Sequence, residues 1–340
     1  MYDVVTIGDS FEDIFLFPKS AEIIPDRVFS GGRGLCFGYG DKVDIESIRY
    51  EIGGSALNTA VNFQRLGLRS AVISEVGTDA SAERILSSLE DFGVETSYIK
   101  KRADAGGNLS VILSYLGDRT ILTHHGAKDY SGYSPPKSIK TNWFYLAPMG
   151  KKSTATENRI IETIAKTAAG LFWNPGSYQI GKGARNYRHL LRFCNLFVVN
   201  REEAEKFVDV PGKNSVEGIL KILNSFGAKV SVITDGKNGA TCYDGSIFYK
   251  MPISDDERID ATGAGDSFAS AMAANFIRNF DGKKPQAYIP SREVVEQSLK
   301  WGMIVSGSVV SKIGAQSGLL TQSELESREK KLIKLQPKDY

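Results

Sequence analysis

Short apolar runs alternate with segments of helical periodicity along most of this chain. Val4, Val5, Thr6 and Ile7 form a run that stops at Gly8, as a buried strand would. Residues 55–66 place Ala56, Leu57, Ala60, Val61 and Leu66 at helical spacing, and Gly67 closes the pattern. Residues 71–76 predict the next strand, and residues 80–92, stopped by Gly93, the next helix. Strand-like runs recur at 143–146, 171–173, 196–199 and 230–234, and helical stretches lie at 155–169, 184–191, 201–207 and 215–226. Strands alternating with helices predict an α/β fold, a doubly wound and mostly parallel sheet with helices on both faces.

Two kinds of segment break the alternation. Residues 109–115 and 119–124 are strand-like runs joined by Leu116, Gly117 and Asp118, which reads as a hairpin. Residues 241–243 and 247–249, joined by Asp244, Gly245 and Ser246, read as a second one. Between Asp13 and Gly53 the pattern is irregular. It contains the glycine-rich runs 30–34 and 38–40, read as loop because no clear strand precedes them and no clear helix follows. No repeat or linker divides the chain, so residues 1–340 are expected to form one domain.

Composition narrows the function classes. With 41% hydrophobic and 24% charged residues, the 340-residue chain has the balance of a globular protein. A net charge of +2, without basic blocks, gives no case for nucleic acid as a partner. Cys36, Cys194 and Cys242 lie far apart and lack metal spacing, as expected of reduced thiols in a cytoplasmic protein. His124 and His125 are adjacent, so in a strand they face opposite sides. Neither a signal peptide nor a membrane span is expected.

The densest chemistry is Asp260-Ala261-Thr262-Gly263-Ala264-Gly265-Asp266, which runs into a small-residue helical segment with Ala269, Ala271, Ala273 and Ala274. Free N–H groups and the dipole at a helix mouth attract anions, and Gly263 and Gly265 let a backbone bend tightly there. Asp266 sets a carboxylate beside the cradle. An anion hole next to a base is the equipment for moving a phosphoryl group onto a hydroxyl. A plain capped helix start is the other reading of the same residues.

Together with a second stretch, this segment resembles the ribokinase-like, or PfkB, carbohydrate kinases. Asp260 to Asp266 resembles the family's Asp-Thr-Thr-Gly-Ala-Gly-Asp signature, with Ala261 in place of the first threonine. Gly53-Gly54-Ser55-Ala56-Leu57-Asn58-Thr59-Ala60, closing with Leu66-Gly67, resembles the N-terminal Gly-Gly…Asn-x-Ala…Leu-Gly signature. Gly117 to Thr120 and Gly126-Ala127 are similar to its lid strands. Asn200 with Glu203, Thr234 with Gly236 and Gly239, and Gly314-Ala315-Gln316 are similar to further motifs.

The resemblance implies a doubly wound domain with a small β-lid, here from parts of 14–52 and 106–127. It also implies transfer of the γ-phosphoryl of ATP, with Mg²⁺, to a hydroxyl of a sugar. Asp266 would be the base, and the N–H groups of Gly263, Ala264 and Gly265 the anion hole. Asp13, Gly53, Gly54 and Asn58 would bind the acceptor. Asn200, Glu203, Thr234, Gly236 and Gly239 would border ATP, with Glu203 near Mg²⁺; Asn200 and Glu203 read equally well as a capping box. Asp260 and Thr262 resemble the monovalent-cation loop, for K⁺, of some members. A lid edge open to pairing makes a homodimer conceivable. Ser55 stands where some ribokinases carry lysine, so ribose is not implied. A nucleoside kinase and a non-catalytic sugar- or nucleotide-binding regulator remain alternatives. A nicotinamide dehydrogenase does not, because the turn after the first strand, Gly8-Asp9-Ser10-Phe11-Glu12, lacks the dinucleotide fingerprint.

Overall fold

In the computed structural model, which describes residues 1–29, 32–103, 106–126, 130–209, 215–282 and 284–339, the chain opens with β1 (Val4–Ile7). Strands β2 (Phe11–Pro18), β3 (Glu22–Pro25), β4 (Arg33–Cys36) and β5 (Ile45–Gly53) follow, then α1 (Ser55–Arg65), β6 (Ser70–Val76), α2 (Ala80–Asp91) and β7 (Ile99–Lys101). The hairpin β8 (Leu109–Tyr115) and β9 (Asp118–His124) precedes β10 (Trp143–Leu146), α3 (Thr154–Thr167), β11 (Gly170–Trp173), α4 (Ser177–Lys182) and α5 (Arg188–Leu191). The chain continues through β12 (Cys194–Asn200), α6 (Arg201–Val208), α7 (Val216–Ser225), β13 (Val230–Thr234), β14 (Ala240–Tyr243) and β15 (Phe248–Met251). It ends with α8 (Ala264–Arg278), α9 (Arg292–Val310), α10 (Gln322–Lys331) and β16 (Lys338–Asp339).

Ten strands form one sheet in the order β16-β15-β14-β13-β12-β11-β10-β1-β6-β7. The neighbours from β13 through β7 pair in parallel, and the edge from β13 to β16 is antiparallel. Side chains alternate between the two faces. Val4 and Val72 join one core with α1, α8 and α9, while Val5 and Ile73 join the other with α3, α6 and α7. Burial on both faces is why the central runs are continuously apolar. Trp143 and Trp173, in two of these central runs, are fully buried.

The region between Asp13 and Gly53 differs from the expected irregular loop. A four-stranded sheet, β5-β2-β8-β9, takes up both of its ends, and β3 pairs with β4. Gly34 lies in β4, while Ser30, Gly31 and Ala127 are outside the described residues. The strands were hard to read because β2 is buried on both faces: Asp13 and Phe15 face one side, and Glu12, paired with Arg84 of α2, faces the other. No clean apolar–polar alternation survives that arrangement. The expected helix at 184–191 is a 3₁₀ turn, Ala184–Tyr187, followed by the short α5. Among the described residues, no helix is long and apolar enough to cross a membrane.

Helices α1 and α8 come from opposite halves of the chain and pack side by side. The small residues of α8 let the backbones approach, and buried Asn62 joins them. Its Nδ2 donates to Ser270 Oγ at 2.7 Å and to the Ser267 carbonyl at 3.2 Å. Ser270 Oγ in turn donates to the Asp266 carbonyl at 2.6 Å. Losing a buried hydrogen-bonding partner costs about 1–3 kcal/mol. Asn62→Ala is therefore expected to lower the urea midpoint by that much stability with an unchanged slope; a midpoint equal to wild type would show that α1 and α8 do not rely on this bond.

Candidate active site

The strand order reverses between β1 and β10: from β1 the chain builds outward through β6 and β7, then from β10 outward through β13. Crevices beyond the carboxyl ends of strands open at such a point. Here a cleft of ≈ 990 Å³ is lined by Asp9 after β1, by Pro148 to Lys152 after β10, and by Gly54, Ser55, Phe11 and Tyr130. It shares Ser55, Pro148, Gly176 and Ser177 with a second pocket of ≈ 320 Å³ that holds Asn200, Glu203, Gly263, Ala264, Gly265 and Asp266. The second pocket shares Thr234, Ala264 and Gly265 with a third of ≈ 120 Å³. Gly236, Gly239, Arg258 and Phe268 line that third pocket. The three form one groove with Asp266 at its middle.

The cradle begins at Gly263, whose φ of +75° is a left-handed conformation, with a Cβ there falling 2.6 Å from the Ala315 Cβ. Both facts require glycine. Ala264 N–H closes the turn on the Ala261 carbonyl at 3.3 Å, and Ser267 N–H returns to the Gly263 carbonyl at 2.9 Å. The N–H groups of Gly265 and Asp266 meet no acceptor among the described residues. Gly263 N–H likewise meets none, so the open donors of the cradle are the amides of Gly263, Gly265 and Asp266, and nothing stands within 4 Å of where a Gly265 Cβ would be.

Asn58 Nδ2 donates to Asp266 Oδ2 at 2.9 Å, and Gln316 Nε2 donates to Asn58 Oδ1 at 3.0 Å, fixing which way the amide faces. Burial pushes the Asp266 carboxyl above its ordinary value, while hydrogen bonds from Asn58 and Ser55 pull it back. A raised carboxylate held by an amide is a suitable proton acceptor.

Asp260 anchors the loop in front of the cradle. Its Oδ1 accepts from Thr262 N at 3.0 Å and Thr262 Oγ1 at 2.7 Å, and its Oδ2 from Gly314 N at 2.9 Å. Arg119 of β9 adds an ion pair to Oδ1 at 3.1 Å. Asp260 and Thr262 thus bond to each other, and an arginine of β9 holds the same Asp260 oxygen.

Asp13 lies opposite Glu51 in the β2–β5 register, and its carboxylate rests on Gly53, where a Cβ would come within 2.1 Å of Oδ2. Burial pushes Asp13 up to about 6 against the pull of Ser110, with the charges of Asp266 and Asp260 adding to the rise. Burial, followed by the Asp13 charge, pushes Glu51 up to about 7. Of the expected acceptor residues, Gly54 lines the large cleft, whereas Asp13, Gly53 and Asn58 stand outside that lining. Gly54 has φ +91°, and a Cβ would strike the Asp9 carbonyl at 2.3 Å.

Asn200 and Glu203 start α6 beside the pocket of Asp266. They form a reciprocal capping box, with Glu203 N to Asn200 Oδ1 at 2.9 Å and Asn200 N to Glu203 Oε2 at 3.0 Å, and they also line the pocket of Asp266. Burial raises the Glu203 carboxyl. Among the described residues, no three histidine, cysteine or acidic side chains gather as a metal site. Mg²⁺ keeps waters and phosphate ligands and needs few from protein, so Asn200 and Glu203 are the residues of this pocket that could hold it.

Several site residues escaped the sequence reading. Asp9 accepts hydroxyls from Tyr130 at 3.1 Å and Tyr133 at 3.0 Å. It showed only as the residue after a strand-ending glycine. Strand alternation could have found Glu51, because it shares a face with Gly53. Lys151 and Lys152 carried no signal beyond their place after a strand.

Comparisons with known proteins agree with this geometry. The pfkB family carbohydrate kinase pattern matches residues 33–322. An ATP-dependent 6-phosphofructokinase of Thermoanaerobacterium thermosaccharolyticum is 24% identical over 325 residues, covering 92% of this chain and 89% of that protein. Arabidopsis thaliana ribokinase complexed with ribose and ATP superposes with a TM-score of 0.72 at 16% identity, covering 96% of this chain and 98% of the other. The Burkholderia thailandensis nucleoside kinase in complex with inosine gives 0.74 at 18% identity, covering 98% of each. Two signatures that meet in one groove and a family match across most of the chain lead to one conclusion: the chain belongs to the pfkB family of carbohydrate kinases.

Proposed function

We propose that this protein transfers the γ-phosphoryl group of ATP to a hydroxyl of a small sugar. The carrying observation is the single groove in which the Asp266 carboxylate and the open amides of Gly265 and Asp266 sit between a large cleft and a pocket bordered by Thr234, Gly236 and Gly239. The acceptor occupies the large cleft, and the nucleotide lies along the other arm. Asp266 takes the hydroxyl proton as the new O–P bond forms and the bond between the β,γ-bridging oxygen and the γ-phosphorus breaks, releasing ADP. The amides hold charge on the phosphoryl oxygens, so positioning and electrostatics suffice without a Walker-type lysine. Asn200 and Glu203 would hold Mg²⁺ through water, and the ion would neutralise phosphate charge. Asp260 serves chiefly as a tie for the loop, with K⁺ an alternative partner to Arg119.

A nucleoside acceptor is the second reading, favoured by Phe11 and Tyr178 in the cleft wall, since aromatic faces stack on bases. Exposed Ile48 and Tyr50 on β5 and Leu122 on β9 support a homodimer through the lid sheet. The free thiols Cys36, Cys194 and Cys242 suit a reducing compartment such as the cytoplasm.

Asp266→Asn keeps the size and removes the basicity; kcat should fall by about 10²–10⁴. Near-normal turnover in a steady-state assay would assign the base elsewhere. Because Asp266 acts ionised and its pKa is raised, the acid limb of kcat/KM should lie above the ordinary aspartate value of 3.8. Asn58→Ala removes a donor to the ionised form, so it should move that limb to still higher pH. A limb that stays in place would disconnect Asn58 from the base. Asp13→Ala should weaken acceptor binding by about 1–3 kcal/mol and leave ATP affinity alone; calorimetry with the two ligands separates the effects, and loss of ATP binding instead would refute the assignment.

A further inference from the structure

The large cleft is divided by charge. Its inner end, shared with the Asp266 pocket, is formed by the neutral residues Ser55, Pro148, Gly176 and Ser177. Its outer part carries Lys151, Lys152 and Lys182. Among the described residues, the one carboxylate in the lining is Asp9, which already accepts two tyrosine hydroxyls. None of the three lysines forms an ion pair with a described carboxylate. Lys182 Nζ donates instead to Thr154 Oγ1 at 2.7 Å and stands 4.6 Å from the centre of the Tyr178 ring.

Two features separate this cluster from ordinary surface lysines. Lys151 and Lys152 follow β10, the strand at the reversal of sheet order where ligands bind. Lys152 also has a φ of +76°, a left-handed conformation that is strained for a non-glycine residue and concentrates at ligand-binding sites. A site for an uncharged polyol would present groups that accept from hydroxyls as well as donate to them. Ammonium groups only donate, and three of them around one cleft repel until an anion joins them.

We infer that the acceptor is itself anionic, a sugar phosphate whose phosphate is held by Lys151, Lys152 and Lys182 while a hydroxyl at its other end reaches Asp266. Three cations match a phosphate dianion better than a single carboxylate. The cleft, at ≈ 990 Å³, has room for a hexose and its phosphate. The chemical identity of the acceptor rests on the kinase reading, but its binding does not.

The test is calorimetry without ATP. The probes are hexose 6-phosphates and pentose 5-phosphates, each against its parent sugar, with gluconate as a carboxylate and inosine as a nucleoside. At least one sugar phosphate should bind ten times or more tighter than its parent sugar. Lys151→Ala/Lys152→Ala/Lys182→Ala should abolish that preference while ATP affinity stays within twofold. Thermal melting checks that this variant is folded, and Lys151→Gln/Lys152→Gln provides the same comparison if it is not. Tighter binding of parent sugars, inosine or gluconate overturns the inference, as does binding of no sugar phosphate or a preference that survives in the variants. Lysine-dependent binding without ADP formation in a coupled assay would uphold the site and refute the kinase reading. Phosphorylation of neutral sugars alone would do the reverse.

Discussion

The hydrogen bond from Asn58 Nδ2 to Asp266 Oδ2 joins residues 208 positions apart and makes one site of two half-sites. Asn58 lies on the first helix of the chain and Asp266 on the helix that opens from the anion cradle. Neither half can do chemistry alone: the first half of the chain supplies Gly54 and Ser55 to the large cleft, and the second supplies the open amides at the middle of the groove. The contact is short because α8 is rich in alanine and because Asn62, one helical turn beyond Asn58, bonds Ser270 one turn beyond Asp266. The same 3.6-residue period therefore sets the packing of the two helices and the alignment of base and orienting amide. Gln316 closes the far side of Asn58 and keeps its Nδ2 aimed at the carboxylate.

Around that contact, the fold places acidic groups close together at some cost. Asp13, Glu51, Asp260 and Asp266 lie near enough to influence one another, and burial raises three of them. Asp260, by contrast, is supplied with hydrogen-bond donors and an arginine. The contrast separates the duties of the carboxylates: a well-solvated substitute environment suits a structural tie, while a poorly solvated one suits a group that must accept a proton.

Much of this was legible in the sequence, and the failures have physical causes. Parallel strands buried on both faces announce themselves as apolar runs, and helices ending at glycine are easy to bound, so the order of the main sheet could be expected from Val4 to Thr234. The seven residues from Asp260 to Asp266 carried the anion cradle because a left-handed turn and close backbone approach leave few residue types possible. Sequence alone could not say that Ala264 spends its N–H on the turn while Gly265 and Asp266 keep theirs open. The hairpin of β8 and β9 was read, but its sheet partners β2 and β5 were missed because β2 serves two faces and β5 is largely exposed, so neither shows alternation. Asp9, Glu51 and the three lysines are ordinary residue types in ordinary settings. Only the reversal of strand order, which is a property of the whole sheet, brings them to the groove.

The ion pair between Arg119 and Asp260 has a thermodynamic consequence. It links a strand of the small sheet to the loop that shapes the cradle, through a single oxygen. A small cation seeking the same Oδ1 would have to displace the guanidinium, so the two occupants are negatively linked. Linkage is reciprocal: the factor by which a bound cation loosens the small sheet equals the factor by which docking that sheet expels the cation. Were a cation to take that oxygen, ionic conditions and the position of the small sheet would be two readings of one equilibrium.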